Sequence, residues 1–315
     1  MIIELDEMPA LGSIYRRAVT RALPLPVGRG GLGWGAGERD RPDKLPDTIL
    51  SLGGVAVDRA RLAAYDRVCG FGLTDHLPAT YPHVLAFPLA MRLMSDDDFP
   101  MPMIGLVHLG NRIDVLRPVD AAEPLELRVW ADGLRPHDRG RQFDVHAEAL
   151  VSGEPVWRGR STYLRRERSR PPTGGVPEAT PHREAGGAGG DPQPPRPPTP
   201  SAQWRLTPRI GVDYADVSGD RNPIHTSLVG ARLFGFARPI AHGMWTAARS
   251  LSALGAGRLP DRFRYDVTFT APVLLPGAAA FVAETAGDGW RLVVFDPATG
   301  RPYLRGAVTT PSEAR

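Results

Sequence analysis

The chain repeats itself, and this restricts its fold more than any other feature. Tyr65-Asp66-Arg67-Val68-Cys69-Gly70 and Tyr214-Ala215-Asp216-Val217-Ser218-Gly219 share a Tyr-x-x-Val-x-Gly pattern, each closing a segment of helical composition. Further on, Ile113-Asp114-Val115-Leu116-Arg117-Pro118-Val119 parallels Val267-Thr268-Phe269-Thr270-Ala271-Pro272-Val273. The two tyrosines lie 149 residues apart and Pro118 and Pro272 lie 154 apart. Two matches in the same order at nearly one offset indicate an internal duplication. Between the copies, from Arg166 to about Gln203, Pro, Gly, Arg and Glu dominate. Such a stretch cannot bury enough apolar surface to offset its ordering entropy, so it reads as a linker. The expected division is an N-terminal arm over 1–45, partly flexible, a first unit over 46–165, the linker over 166–203 and a second unit over 204–311. The glycine-rich run from Gly28 to Gly37 resembles the linker, with Trp34 as a residue that could dock.

Within the second unit, Thr207-Pro208 makes a good helix start and Gly219 a stop, which predicts a helix from Pro208 to Val217. A short helix over Leu228 to Phe234 follows, then a longer one from near His242 carrying Met244, Ala247, Ala248, Leu251 and Leu254 on one side. Phe263, Tyr265, Val267 and Phe269 alternate strictly, and Ala279–Ala286, Trp290–Phe295 and Tyr303–Thr309 complete a set of strands. The first unit gives the same order: a strand at Ile49–Val57, helices at Asp58–Val68 and Pro82–Met94, and strands at Val107–Leu116, Leu125–Ala131, Phe143–Val151 and Val156–Leu164. A long helix followed by several antiparallel strands, twice over, defines an α+β fold in which each sheet wraps a central helix.

Composition removes several functions. A hydrophobic content of 42% supports real cores. The net charge is only +3, and Arg is interleaved among Asp and Glu, which leaves no basic block to track a phosphate backbone. Nucleic acid is not an expected partner. Lys44 is the only lysine, so a Schiff-base lysine and a phosphate-loop lysine are both unexpected. Cys69 has no second cysteine to pair with and reads as a small buried thiol; no Cys/His cluster has zinc spacing, so no metal is expected. The acidic start Met1-Ile2-Ile3-Glu4-Leu5-Asp6 lacks the features of a signal peptide, and the apolar runs are too short for a bilayer. A soluble, cytoplasmic protein is expected.

The chemistry concentrates in Gly219-Asp220-Arg221-Asn222-Pro223-Ile224-His225 and, downstream, Ala241-His242-Gly243-Met244. Pro223 fixes its own φ and pushes Asn222 out of helical geometry, so the stretch is expected to be a rigid non-helical turn holding an acid and a base. A calcium loop starting at Asp216 fails, because its sixth position is Arg221 and its twelfth Ser227. The start of the central helix offers free N–H groups and a positive dipole end, and Gly243 has no side chain to block approach. Its N–H is the expected oxyanion contact. His242 reads as a hydrogen-bonding partner of the site or as a helix cap, and Asn222 as the residue that orients the turn or touches substrate. His108, His137 and His146 are scattered and read as surface or strand-packing residues.

The run from Tyr214 to His225, with Ile240-Ala241-His242-Gly243-Met244 after it, resembles the hydratase 2 motif of the MaoC-like dehydratase family. Over about residues 46 to 310 the chain resembles the double-hotdog actinobacterial (3R)-hydroxyacyl-thioester dehydratases of that family. The resemblance implies a double hotdog fold and a catalytic pair formed by Asp220 and His225. It also implies a substrate carried as a thioester on coenzyme A or acyl carrier protein, no cofactor, and a monomeric pseudo-dimer or a homodimer. Hydrating a trans-2-enoyl thioester needs a base for water, an acid for the α-carbon and donors for the enolate oxygen, and these residue types supply them. Which of Asp220 and His225 is the formal base stays open. In the first unit the run Phe71-Gly72-Leu73-Thr74-Asp75-His76-Leu77-Pro78 lacks the spacing, so that unit is expected to be non-catalytic and to shape the acyl-chain pocket. A hotdog thioesterase and a non-enzymatic acyl-thioester-binding or partner subunit are the alternatives.

Overall fold

The computed structural model describes residues 1–22, 26–27, 31–32, 42–166, 198–255 and 257–310. The Gly28–Gly37 run with Trp34 and the body of the expected linker therefore lie largely outside the described residues. In chain order the elements are β1 (Ile2–Glu4), α1 (Leu11–Ala22), β2 (Pro26–Val27), β3 (Gly31–Leu32), β4 (Ile49–Val55), α2 (Arg59–Cys69) and α3 (Tyr81–Met94). The first unit continues with β5 (Leu106–Val115), β6 (Leu125–His137), β7 (Gly140–Val151) and β8 (Glu154–Arg166). The second unit holds β9 (Ala202–Leu206), α4 (Arg209–Ser218), α5 (Pro223–Thr226), α6 (Leu228–Leu233), α7 (Gly243–Ser252), β10 (Phe263–Phe269), β11 (Gly277–Ala286), β12 (Gly289–Phe295) and β13 (Pro302–Thr309). The outer strands thus run one residue into the expected linker at Arg166 and two at Ala202.

One sheet of 11 strands, in the order β1-β4-β6-β7-β8-β5-β10-β13-β12-β11-β9, spans both units. Its antiparallel hairpins keep alternate side chains inward, and the inward row of β6, Leu125, Leu127 and Val129, is fully buried. Each half wraps its own central helix. In α3 almost every residue is buried, including Tyr81, Val84, Leu89 and Leu93; α7 buries Met244, Trp245, Ala247, Ala248 and Leu251. Among the described residues no helix is long and apolar enough to cross a membrane. This is the double hotdog architecture, with the two half-sheets fused.

The fusion lies at β5 and β10, which pair antiparallel from Phe263↔Val115 to Thr268↔Gly110. Both strands carry Arg-x-Asp-Val, at Arg112-Ile113-Asp114-Val115 and Arg264-Tyr265-Asp266-Val267. Arg112 Nε donates to Asp266 Oδ1 at 2.6 Å, and Arg264 Nε donates to Asp114 Oδ1 at 2.7 Å. Each arginine thus meets the other strand's aspartate, the reciprocal pattern of a two-fold interface. Within the strands the repeat offset is 152 residues, against 154 at Pro118 and Pro272. The expected parallel of Ile113 with Val267 is therefore two residues out of register: the second unit has two more residues between its strand and its proline.

The Tyr-x-x-Val-x-Gly segments end α2 and α4. Gly70 and Gly219 both take the left-handed conformation, at φ 79° and 82°, and their N–H groups close the last turns on Asp66 O and Ala215 O. The rings of Tyr65 and Tyr214 meet across the pseudo-axis, 6.1 Å between centroids. Arg61 Nε donates to Val217 O at 2.8 Å, placing a cation on the C-terminal carbonyls of α4. Arg249 and Trp245 of α7 donate in turn to Cys69 O and Val68 O of α2.

The same symmetry locates the difference between the halves. Leu77 N donates to Val119 O and Ala241 N to Val273 O, so Leu77 and Ala241 are equivalent. Six residues separate Gly70 from Leu77, whereas 21 separate Gly219 from Ala241. The first unit lacks the 15-residue excursion that carries α5 and α6, rather than holding a substituted copy of it.

The cross-strand ion pairs at the seam are partly exposed and worth roughly 0.2–1 kcal/mol each. Asp266→Arg, which sets two arginines face to face, is expected to lower the urea midpoint. Adding Arg112→Asp in the same chain is expected to recover most of the loss. Independent effects of the two changes would contradict the reciprocal seam.

Candidate active site

The Asp220 loop begins at Gly219 and is held by local bonds. Ser218 Oγ donates to Tyr214 O at 2.7 Å and accepts from Asp220 N at 3.1 Å, while Asp220 Oδ1 accepts from Asn222 N at 3.2 Å. Asn222 is extended, at φ -55° and ψ 124°, as suits a residue before proline. The rest of the stretch departs from the non-helical expectation. Pro223 sits at the first position of the one-turn helix α5, where its fixed φ suits the helix and its missing N–H costs nothing. Asn222 caps that turn, its Oδ1 accepting from Ile224 N at 3.3 Å. His225 therefore projects from a helical turn rather than an irregular loop.

Three side chains converge here. Asp220, His225 and His242 each place one ligating atom within 4.8 Å of the other two. His225 Nδ1 donates to Ile240 O at 2.8 Å, which leaves Nε2 as the acceptor of the neutral ring. His242 precedes α7 without capping it through its side chain; its Nε2 donates to the Asp220 backbone carbonyl at 2.9 Å. The His225 and His242 rings stack at 3.7 Å between centroids with planes 26° apart. Each ring already gives one nitrogen to a backbone carbonyl, His225 to Ile240 and His242 to Asp220. The set fits proton transfer better than metal ligation.

Burial governs the protonation states. It lowers His225, and the charge of Asp220 only partly opposes this. His242 is pushed down to about 3 by burial and by His225, against the pull of Asp220. Burial raises the Asp220 carboxyl, but His242, His225 and hydrogen bonds from Tyr15 and Asn222 outweigh it and leave the group below its usual value. The resting site is a carboxylate beside two neutral imidazoles.

Tyr15 is a contact of the candidate site that the sequence motif does not reveal. It projects from α1, inside the segment expected to be a partly flexible arm, and its hydroxyl donates to Asp220 Oδ1 at 2.8 Å. The apolar spacing of Leu11, Ile14 and Tyr15 is the available signal for a docked helix. A cleft of 260 Å³ opens between α1 and the loop, lined by Leu11, Gly12, Tyr15, Gly219, Arg221 and Pro223.

Gly243 opens α7, so its N–H has no intrahelical acceptor. A Cβ at this position would lie 3.1 Å from the Phe269 ring, so a larger residue here would have to push that ring aside by a few tenths of an ångström. His108 has the strand-packing role expected of it. It packs on its neighbouring strands, stacking on Tyr163 of β8, its register partner, at 4.7 Å and meeting Phe269 of β10 at 5.0 Å. His146 does pack on its strand, against Trp130 at 5.1 Å, and His137 accepts from the Arg139 N–H in its hairpin. Asp75 pairs with Arg59, and His76 bridges to Asp120, away from any catalytic arrangement.

A doubled hotdog sheet with an Asp/His loop beside a glycine-started central helix defines a thioester-processing protein of the MaoC type. The chain belongs to the MaoC-like dehydratase family: the MaoC like domain matches residues 191–292. It is 37% identical over 268 residues to 3-hydroxyacyl-thioester dehydratase X of Mycobacterium tuberculosis, covering 85% of this chain and 91% of that one. The crystal structure of HtdX from the same organism superposes with a TM-score of 0.71 at 34% identity, covering 82% of this chain and 98% of that one. A MaoC-like dehydratase from Phytophthora capsici, at 19% identity, shares the fold, with a TM-score of 0.65 over 87% of this chain and 99% of its own.

A histidine buried in its neutral form binds fewer protons than in the unfolded chain, so stability rises with pH. For His242 the stabilisation is full above the unfolded value of about 6.5 and drains away as pH falls toward about 3. Between about pH 7 and about pH 5 the wild type is expected to lose about 2 kcal/mol more than His242→Asn, measured by urea unfolding at both pH values. Equal losses would contradict a buried neutral His242.

Proposed function

We propose that this protein is a hydro-lyase that interconverts (3R)-3-hydroxyacyl thioesters and trans-2-enoyl thioesters, carried on coenzyme A or acyl carrier protein, in the cytoplasm. It needs no cofactor and no metal. The observation that carries the reading is the convergence of the half-buried Asp220 carboxylate on a buried, neutral His225 whose Nε2 is free to accept.

Two acceptors side by side can each take one O–H of a single water. A free imidazole holds a proton more tightly than a free carboxylate, and on that ground His225 is assigned as the base, with the Asp220 carboxylate stabilising the imidazolium that forms. In hydration the hydroxyl adds to the β-carbon of the enoyl thioester, and His225 Nε2 returns the proton to the α-carbon. Both transfers by one nitrogen occur on one face of the double bond. The thioester oxygen takes up negative charge meanwhile, and the Gly243 N–H at the positive end of α7 receives it. His242 fixes the loop through the Asp220 carbonyl, and Asn222 fixes it by capping α5. The first unit supplies the acyl-chain side of the site and no catalytic pair, consistent with its missing excursion.

His225→Ala and Asp220→Asn are each expected to lower kcat for hydration of crotonyl-CoA by about 100-fold or more, read as loss of enoyl absorbance. Activity within about threefold of wild type in either variant would refute the assignment. Tyr15→Phe removes a hydrogen bond that lowers the Asp220 carboxyl. The acid limb of the kcat/KM profile is then expected to move to higher pH, with activity near about pH 8 largely retained. An unmoved acid limb would show that Tyr15 does not tune the carboxylate.

A further inference from the structure

The 15-residue excursion of the second unit carries α6, a helix built inside out. Its small residues face the protein: Gly230 and Ala231 are buried, while Leu228, Val229 and Leu233 are 45%, 78% and 65% exposed. Leu228 and Arg232 are four residues apart, as are Val229 and Leu233, so these four share the outward face. The inward side has no room for anything larger. A Cβ on Gly230 would lie 2.5 Å from Pro223 Cβ and 2.7 Å from Pro223 O. Close packing against the catalytic turn therefore takes the small residues, and three aliphatic side chains are left in water. A contiguous aliphatic patch rimmed by polar residues marks an interaction surface.

The charge around the patch has one sign. From Arg221 to Arg238 the chain carries three arginines, Arg221, Arg232 and Arg238, and no acidic residue. All three are exposed. Arg221 pairs with Asp216 at 2.8 Å and Arg238 donates to Pro276 O at 3.0 Å, while Arg232 stands on the aliphatic face itself. The patch is also tied to the reacting groups. Ser227 ends α5 and caps α6, its Oγ accepting from Gly230 N at 3.2 Å, so α6 is fixed to the turn that carries His225. His225 and Leu228 are three positions apart, a Cα span of at most about 11 Å. The first unit, which lacks the excursion, has no counterpart of this helix.

Resting on the dehydratase reading, we propose that the outward face of α6 is the docking site for an acyl carrier protein, met through an acidic amphipathic helix of that partner, so that the protein-borne thioester is preferred over the coenzyme A one. An aliphatic centre flanked by cations is complementary to a helix that presents carboxylates beside an apolar stripe. Coenzyme A brings phosphates for the arginines but nothing that covers Leu228, Val229 and Leu233. A membrane surface matches less well, because a helix of six residues presents too little apolar face to lie in the interface.

The test sets wild type against Val229→Asp, Leu233→Asp and Arg232→Glu, all at exposed positions, with crotonyl-CoA and crotonyl-acyl carrier protein as the two substrates. Each variant is expected to lower kcat/KM for the carrier-bound substrate about tenfold or more, through KM, and to leave crotonyl-CoA within about twofold. Equal loss on both substrates, or loss on neither, would overturn the proposal. A lower urea midpoint in all three variants would mark α6 as structural and overturn it; where one variant alone is destabilised, the other two decide. A wild-type dimer that Val229→Asp splits into monomers, read by sedimentation, would assign the patch to a second copy of this chain and overturn it. So would binding to anionic lipid vesicles that the variants abolish while the carrier kinetics stay unchanged. A wild type that turns over neither substrate would sink the dehydratase reading instead, and the calorimetric Kd of acyl carrier protein would still decide the docking: about tenfold weaker binding by Arg232→Glu supports it, and equal values overturn it.

Discussion

Everything in this molecule depends on the antiparallel pairing of β5 with β10. That seam joins two half-sheets into one and sets the pseudo-two-fold axis between them. Hydrogen bonding along the ladder fixes register, and register fixes which side chains from one unit meet the other. The reciprocal Arg112–Asp266 and Arg264–Asp114 pairs sit directly opposite one another, so a slip would leave like charges adjacent. Their individual contribution is small; their effect is to choose one alignment. With the alignment set, α2 and α4 pack side by side, the Tyr65 and Tyr214 rings meet, and the cations of Arg61 and Arg249 fall on the helix ends of the opposite unit.

The two units differ most in one connection. The second unit keeps the 15-residue excursion between Gly219 and Ala241, which places His225 on α5 and returns the chain to His242. The first unit crosses the equivalent gap in six residues, too few to form α5 and α6. A chain that short cannot bring an acid and a base onto the start of α3. In the first unit His83, His108 and Tyr163 form part of a ring cluster with Phe269 of β10.

Desolvation organises the chemistry. Neutral imidazoles are acceptors, and His225 would be a poor base if it were already protonated at rest. Burial keeps His225 and His242 neutral, while hydrogen bonds from Tyr15 and Asn222 favour the ionised form of Asp220 against the cost of burying its charge. The two tendencies oppose each other within a few ångströms, and the local donors decide the outcome for the carboxylate.

The duplication, the α+β class, the order of the central helices and strands, and the nomination of Asp220, His225, His242 and Gly243 are all legible along the chain. These are local matters: alternation, caps, glycine stops and a short motif each act over a short span. The helical turn at Pro223 is local too, yet the expectation of a non-helical stretch fails there, because proline restricts the residue before it and leaves those after it free to coil. Tyr15 takes its place at the site, and His108 its neighbours, only from packing between distant segments. Tyr15 bonds a residue 205 positions away, and His108 meets Phe269 across the seam. Periodicity shows that a face is buried; it carries no record of what that face is buried against, because the partner is chosen by register and packing between segments remote in the chain.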